Sequence, residues 1–226
     1  MKRLFERLTA KVLAANPLDL ESMVRGFLIQ YFFHTSDRGR IAVVGEGRRS
    51  INLLTPTQFK GLGRIVLSTT TVFGVPRSPG SYGCSYVESR TPESLIQIGA
   101  GTVFNNRAFI LSEGASVTFG ERVLVGPELH VADSNSHQLE LGLRAQPDAK
   151  PLPVVIGDDV FIGSRVTILK GARIGRGCVI SAGTVVTPNF EAPEMSIVAG
   201  NPCRIVGRVK DAASTDNSRN ETHEPA

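Results

Sequence analysis

The sequence contains no tryptophan, and aromatic residues make up only 6% of its 226 positions. An aromatic-centred interior is therefore not expected, and packing should fall to aliphatic side chains. Cysteine is scarce too: Cys84, Cys178 and Cys203 are odd in number and widely spaced. That excludes a disulfide framework and a CxxC metal pattern, and it favours a reducing compartment. No apolar run is long enough to span a bilayer; the best stretch, Met23 to Phe33, is interrupted by Arg25 and Gln30. Residues 1–13 set Leu4, Phe5, Leu8, Val12 and Leu13 against Lys2, Arg3, Glu6, Arg7 and Lys11. They lack an apolar segment followed by a cleavage site and do not read as a signal peptide. The expected compartment is the cytoplasm. The net charge of +4 is scattered, and no nucleic-acid motif or basic–aromatic interleaving accompanies it. An anionic small ligand is expected rather than nucleic acid.

What is abundant is glycine, with 23 residues, and a count of six. An aliphatic residue recurs at Ile156, Ile162, Ile168, Ile174, Ile180 and Val186 without a slip. The next residue is small or polar in most units: Gly157, Gly163, Gly175, Ser181, Thr187. Neither a strand period of two nor a helix period of 3.6 produces this pattern. A strict hexapeptide repeat predicts an all-β solenoid, a parallel β-helix. Each unit is one face of a prism, three units make a coil, and stacked coils bury a continuous aliphatic column.

The rest of the chain is read outward from that repeat. Residues 1–40 form a helical segment: one helix over Lys2–Ala14, a break at Asn16–Pro17, and a second helix from about Asp19 to Phe33. Residues 41–210 form the solenoid domain. Its early coils are degenerate, with short strands at Ile41–Val44, Ile51–Leu54, Ile65–Leu67 and Thr71–Phe73, and a loop or wide corner at Ser78–Tyr86. The repeat is legible at Ile98, Phe104 and Ile110, shifts phase by three, and resumes at Phe119, Val125 and Val131. The polar stretch Asp133–Pro153 is too long for a corner and should project as a loop, the usual place for function. After Val186 the chain is expected to leave the repeat. Residues 211–226 are polar and should be disordered.

Four histidines are present, and His137 lies on the projecting loop in Asp133-Ser-Asn-Ser-His137, seven residues before Arg144. An imidazole in a polar loop can act as a general base near neutral pH; alone it is as readily an exposed histidine without a role. Its neighbours change the balance. VIGDDVFIGSRVTILKGARIGRGCVISAGTVVT (155–187) followed by AGNPCRIV (199–206) resembles the hexapeptide-repeat acyltransferases, in the branch of galactoside, maltose and polysaccharide O-acetyltransferases. DSNSHQLELGLR (133–144) resembles that branch's catalytic loop. SYGCSYVESRTPESLIQIGAGTVFNN (81–106) is similar to surface-polysaccharide acetyltransferases. The likeness covers residues 75–209 and is absent from the first 40.

The resemblance implies a left-handed parallel β-helix, an N-terminal helical segment and a projecting catalytic loop. It implies homotrimers with sites between subunits, and acetyl-CoA as co-substrate without a metal. Carried over residue by residue, His137 falls at the base that deprotonates the acceptor hydroxyl. Asn106 falls at the acceptor contact, with Asn105 as its neighbour if the register slips by one. Ser164 offers a backbone N–H to the thioester carbonyl beside Gly163, Ala182 and Gly183 follow the pantetheine arm, and Thr187 and Arg204 hold the adenine and phosphate end. Pro188 stands where the family often has lysine, and Arg208 or Lys210 is the alternative source of that phosphate contact. The expected activity is O-acetylation of a saccharide hydroxyl in a bacterial surface polysaccharide or its precursor. The alternatives are N-acetylation of an amino sugar, or an inert rod serving as an interaction module. A zinc site needs three converging histidines, and the coil region has only His130 and His137; a core-edge or acceptor-pocket role is expected for His130. The basic N-terminal helix is expected to pack on the trimer rather than to touch a membrane.

Overall fold

The computed structural model describes residues 17–46 and 51–210. The expected helix over Lys2–Ala14 and the expected disorder of 211–226 fall outside them. Helix α1 (Pro17–His34) agrees with the second expected helix to within a turn.

The remainder is a three-sided left-handed parallel β-helix. Face one stacks β1 (Ile41–Val44), β4 (Arg64–Ser68), β7 (Leu95–Ile98), β10 (Ser116–Phe119), β13 (Val154–Ile156), β16 (Arg173–Ile174) and β19 (Glu191–Ala192). Face two stacks β2 (Asn52–Leu53), β5 (Val72–Phe73), β8 (Val103–Phe104), β11 (Leu124–Val125), β14 (Phe161–Ile162), β17 (Val179–Ile180), β20 (Ser196–Ala199) and the closing β21 (Arg204–Arg208). Face three stacks β3 (Thr57–Gly61), β6 (Ser85–Ser89), β9 (Phe109–Ser112), β12 (His130–Ala132), β15 (Thr167–Ile168) and β18 (Val185–Val186). Each parallel pair puts like on like. Ile156 opposes Ile174, Ile162 opposes Ile180 and Ile168 opposes Val186, one coil of three sixes apart.

Three expectations need correction. The repeat does not end at Val186: Ala192 opposes Ile174 and Val198 opposes Ile180, so the sixes continue to Val198. Ala192 is too small to stand out, and flanking prolines disguise its unit. Strands β3 and β6 were not foreseen, because serine and threonine (Thr57, Ser85, Ser89) take inward positions beside Phe59 and Val87; β6 also claims Ser85 and Tyr86 from the expected loop. The interior is not aliphatic throughout. Phe59, Phe73, Phe104 and Phe119 form a buried column, with Phe73 and Phe104 stacked at 4.9 Å. Phe73 and Phe104 align in register on face two, while Phe59 from face three and Phe119 from face one meet them edge-on at 5.6 and 5.0 Å.

The phase shift before Phe119 is a turn at Glu113–Ala115, held by a buried carboxylate. Asp133 accepts the Ser112 hydroxyl at 2.7 Å and the backbone N–H groups of Glu113 at 2.6 Å and Ala115 at 3.0 Å. Burial raises its pKa, and the donors oppose that shift.

Candidate active site

The corner between faces two and three supplies a column of backbone. From coil to coil it reads Asn105-Asn106-Arg107, Gly126-Pro127-Glu128, Gly163-Ser164-Arg165 and Ser181-Ala182-Gly183. The first N–H of each triplet is spent on the next coil: Asn105 on Val125, Gly126 on Ile162, Gly163 on Ile180 and Ser181 on Val198. Among the described residues, the second N–H has no partner at Ser164 or Ala182. Coils approach so closely here that a Cβ on Gly126 would lie 2.8 Å from the Ser164 nitrogen, and one on Gly163 2.5 Å from the Ala182 nitrogen. Glycine is thus required by the packing, and it also leaves these N–H groups uncovered. Gly183 has φ +72 and open space around it, beside exposed Ala182. The result is a bare strip of backbone with two free donors.

Asn106 does not face this strip. It is fully buried: its Oδ1 accepts the Val75 N–H at 2.9 Å, and its Nδ2 lies 3.0 Å from the carbonyls of Val75, Ser78 and Pro79. All of its amide capacity goes to folding the loop between β5 and β6. Asn105 is half-buried, its Oδ1 accepts the Asn106 N–H at 2.8 Å, and its Nδ2 has no partner among the described residues.

His137 belongs to the other edge of face three, in the loop that follows β12. The loop is clamped at its far end by Asp148, which accepts Lys170 Nζ at 2.6 Å and the backbone N–H groups of Asn135 at 2.8 Å and Lys150 at 3.0 Å. The pair is nearly buried, with side chains 7% and 12% exposed. Burial alone would raise the Asp148 pKa; the Asn135 N–H, the Lys170 ammonium and the Lys150 N–H outweigh it, and the net shift is downward. Ser136 takes φ +62, its N–H held by Ser134 Oγ at 2.8 Å, and this turn presents an exposed His137. Beyond it Leu139, Leu141 and Leu143 are exposed, Leu141 at 91%.

Between loop and face lies a cavity of 450 Å³, lined by Phe109, Leu111, His130, Ser134, Asn135 and Leu169 among others. His130 stacks on Phe109 at 4.7 Å, and partial burial lowers its pKa, which keeps the imidazole neutral at pH 7. The sequence places His130 beside Val131 in a repeat unit, with a core-edge or acceptor-pocket role expected; the structure puts it on the wall of this cavity. One face is about six residues wide, on the order of 20 Å, and it separates the corner of Ser164 and Ala182 from the corner that carries His137 and Thr187. Thr187 Oγ1 lies 3.9 Å from Cys203 Sγ, and Arg204 opens exposed strand β21. One chain therefore brings together Gly163, Ser164, Ala182 and Gly183, and leaves His137 and Thr187 across the face.

Burial pushes the Cys84 thiol up to about 11 and holds Cys178 up as well, so neither is a thiolate nucleophile at neutral pH. Among the described residues no three histidine, cysteine or carboxylate side chains converge as metal ligands. No described helix is long and apolar enough to cross a membrane.

A family profile described as the hexapeptide repeat of succinyl-transferase matches residues 153–188. Those residues carry the hexapeptide repeat that the profile describes. This hexapeptide-repeat chain is 34% identical over 118 residues to the galactoside O-acetyltransferase of Escherichia coli, a match covering 52% of the chain and 56% of that protein. It is 38% identical over 74 residues to a 2,3,4,5-tetrahydropyridine-2,6-dicarboxylate N-acetyltransferase of Staphylococcus aureus, over 33% of the chain and 29% of that protein. The matches thus reach just over half the length of the first relative and less than a third of the second. A solved galactoside acetyltransferase in complex with coenzyme A shares the fold at a TM-score of 0.50, with 21% identity, over 89% of this chain and 86% of that one.

Proposed function

We propose that the chain is an acetyl-CoA-dependent O-acetyltransferase of a saccharide hydroxyl, acting in the cytoplasm on a bacterial surface polysaccharide or its precursor. The observation that carries this reading is the bare corner of Gly163, Ser164, Ala182 and Gly183, with two unpartnered N–H groups. Such a strip fits an extended thioester arm laid against backbone, and a free N–H is the donor that a developing oxyanion requires.

The chemistry is a direct transfer. His137 takes the proton of the acceptor hydroxyl as that oxygen bonds to the thioester carbonyl carbon. The carbonyl oxygen gains charge against the Ser164 N–H. When the carbon–sulfur bond breaks, the coenzyme thiolate takes the proton back from the His137 imidazolium. Asn105, rather than Asn106, offers its free amide to the acceptor, and Asn106 holds the loop above it. Gly163, Ala182 and Gly183 accommodate the pantetheine arm, while Thr187 and Arg204 serve the adenine and phosphate end.

Because His137 and Ser164 flank face three in one chain, the complete site is assembled between subunits of a homotrimer. There the loop of one subunit lies against the bare corner of the next, and the exposed leucines at 139, 141 and 143 gain a cover. Calorimetry with acetyl-CoA on the purified protein tests the reading. Micromolar binding at one per chain supports it; no binding by a folded trimer would leave an inert rod. The similarity to an N-acetyltransferase favours a second reading, transfer to an amine. An amine already nucleophilic when unprotonated would tolerate loss of His137 far better than a hydroxyl would, so parallel assays with both acceptor types separate the two.

A further inference from the structure

Upstream of Asn105, the corner between faces two and three is occupied by the loop from Gly74 to Cys84 that joins β5 to β6. This loop and helix α1 border an open cavity of 750 Å³ lined by Glu21, Ser22, Arg25, Pro76, Arg77, Ser78, Pro79 and Ser81. The buried amide of Asn106 bonds the Ser78 and Pro79 carbonyls, which ties two lining residues of the cavity to the corner that carries Asn105. Arg77 is exposed and makes no ion pair among the described residues. Arg25 makes a single long contact to Glu21, at 3.4 Å.

The charge continues along the same edge. Arg107 lies beneath the loop, where a Cβ on Gly83 would be 2.7 Å from its Cδ, and its guanidinium meets Glu128 at 2.8 Å. Arg165, beside Ser164 and with its side chain 78% exposed, reaches Glu128 at 3.7 Å. Four arginines thus face two glutamates from the cavity to the transfer point. In the next coil the triplet Ser181-Ala182-Gly183 carries no charge at all. The positive edge therefore stops where the coenzyme arm begins, so that the phosphates of the coenzyme, at the Arg204 end, do not account for it.

Resting on the transferase reading, we infer that the acceptor is an anionic saccharide, whose carboxylate or phosphate is held in the cavity of Arg25 and Arg77. Guanidinium is suited to this because its planar donors pair with either anion in two parallel bonds. The Ser22, Ser78 and Ser81 residues lining the cavity provide hydroxyls for sugar oxygens or the remaining anion lone pairs.

Saturation-transfer NMR on the full chain tests this with three probes: tri-galacturonate for carboxylate, glucose 1-phosphate for phosphate, and maltotriose as the neutral control. Binding of one or both anionic probes at least tenfold tighter than maltotriose is expected, and whichever binds tighter identifies the anion. Arg77→Ala should weaken that probe about tenfold, the scale of one lost charge-assisted contact. Arg77→Lys should recover part of the loss, and coenzyme affinity by calorimetry should not move. Failure of both anionic probes to bind, equal binding of maltotriose, or Arg77→Ala binding like the wild type would overturn the inference. Absence of coenzyme binding in the separate calorimetric experiment would instead overturn the transferase reading.

Discussion

The coils upstream of β12 and those from β13 onward are built by one rule and used differently. Downstream, every unit has six residues, the interior is isoleucine, valine and small residues, and corners are tight and nearly bare. Upstream, units lengthen, phenylalanines stack in the middle, and each extra residue leaves the rod as a turn or loop. Regularity yields a uniform strip of backbone, suited to an extended arm laid along it. Irregularity yields side chains in particular places, suited to a ligand read by its own polar groups. On this account the regular half binds the coenzyme, and the departures from the repeat choose and activate the acceptor.

That division can be broken at several points. The largest effect should come from His137→Ala, a departure residue. Turnover should fall about 10²–10⁴-fold, the range of general-base catalysis, with coenzyme affinity and thermal stability unchanged. Near-normal turnover would remove His137 from the mechanism. Ile168→Ala, in the regular half, should show the opposite signature. It is fully buried, and its loss should cost about 2–5 kcal/mol of stability, measurable by denaturant unfolding. Next in size, Asn106→Ala should cost about 1–3 kcal/mol through stranded partners at Val75, Ser78 and Pro79. It should raise the acceptor KM while leaving the coenzyme Kd alone; an equal rise in both would tie the upstream loop to the coenzyme.

The smallest effect concerns the loop clamp. The Asp148 pKa is lowered in the folded chain, so its stabilising contribution is complete above the ordinary carboxylate value near about 3.9 and is lost as pH falls through the lowered value. Asp148→Asn should remove this acid dependence and cost about 1 kcal/mol. Proteolysis within residues 138–147, followed against pH in both proteins, would show it. A wild-type loop equally resistant at all acidic pH values would mean that the clamp carries no weight.

The regular half was legible because its spacing repeats a physical constraint: one inward aliphatic per face and one small residue per corner. Where the constraint is met by other means, the pattern disappears from the sequence. Ala192 keeps its place in the column with a side chain too small to notice, and Thr57 and Ser85 are buried in strands that read as polar. The candidate site divides in the same way. Ser164, Ala182 and Gly183 follow from the count of six once one corner is known. Asn105 and Asn106 are adjacent and chemically identical, and only the burial of one decides their tasks. The arginines of the acceptor side come from a helix, a loop and two corners, and no sequence spacing connects them.

The central claim is that the bare corner holds the coenzyme. Amide hydrogen exchange with and without acetyl-CoA tests it most directly. The account predicts slowed exchange at residues 163–165 and 181–184, with β1 and β4 unchanged. Bound coenzyme that leaves this corner exchanging as before would contradict it.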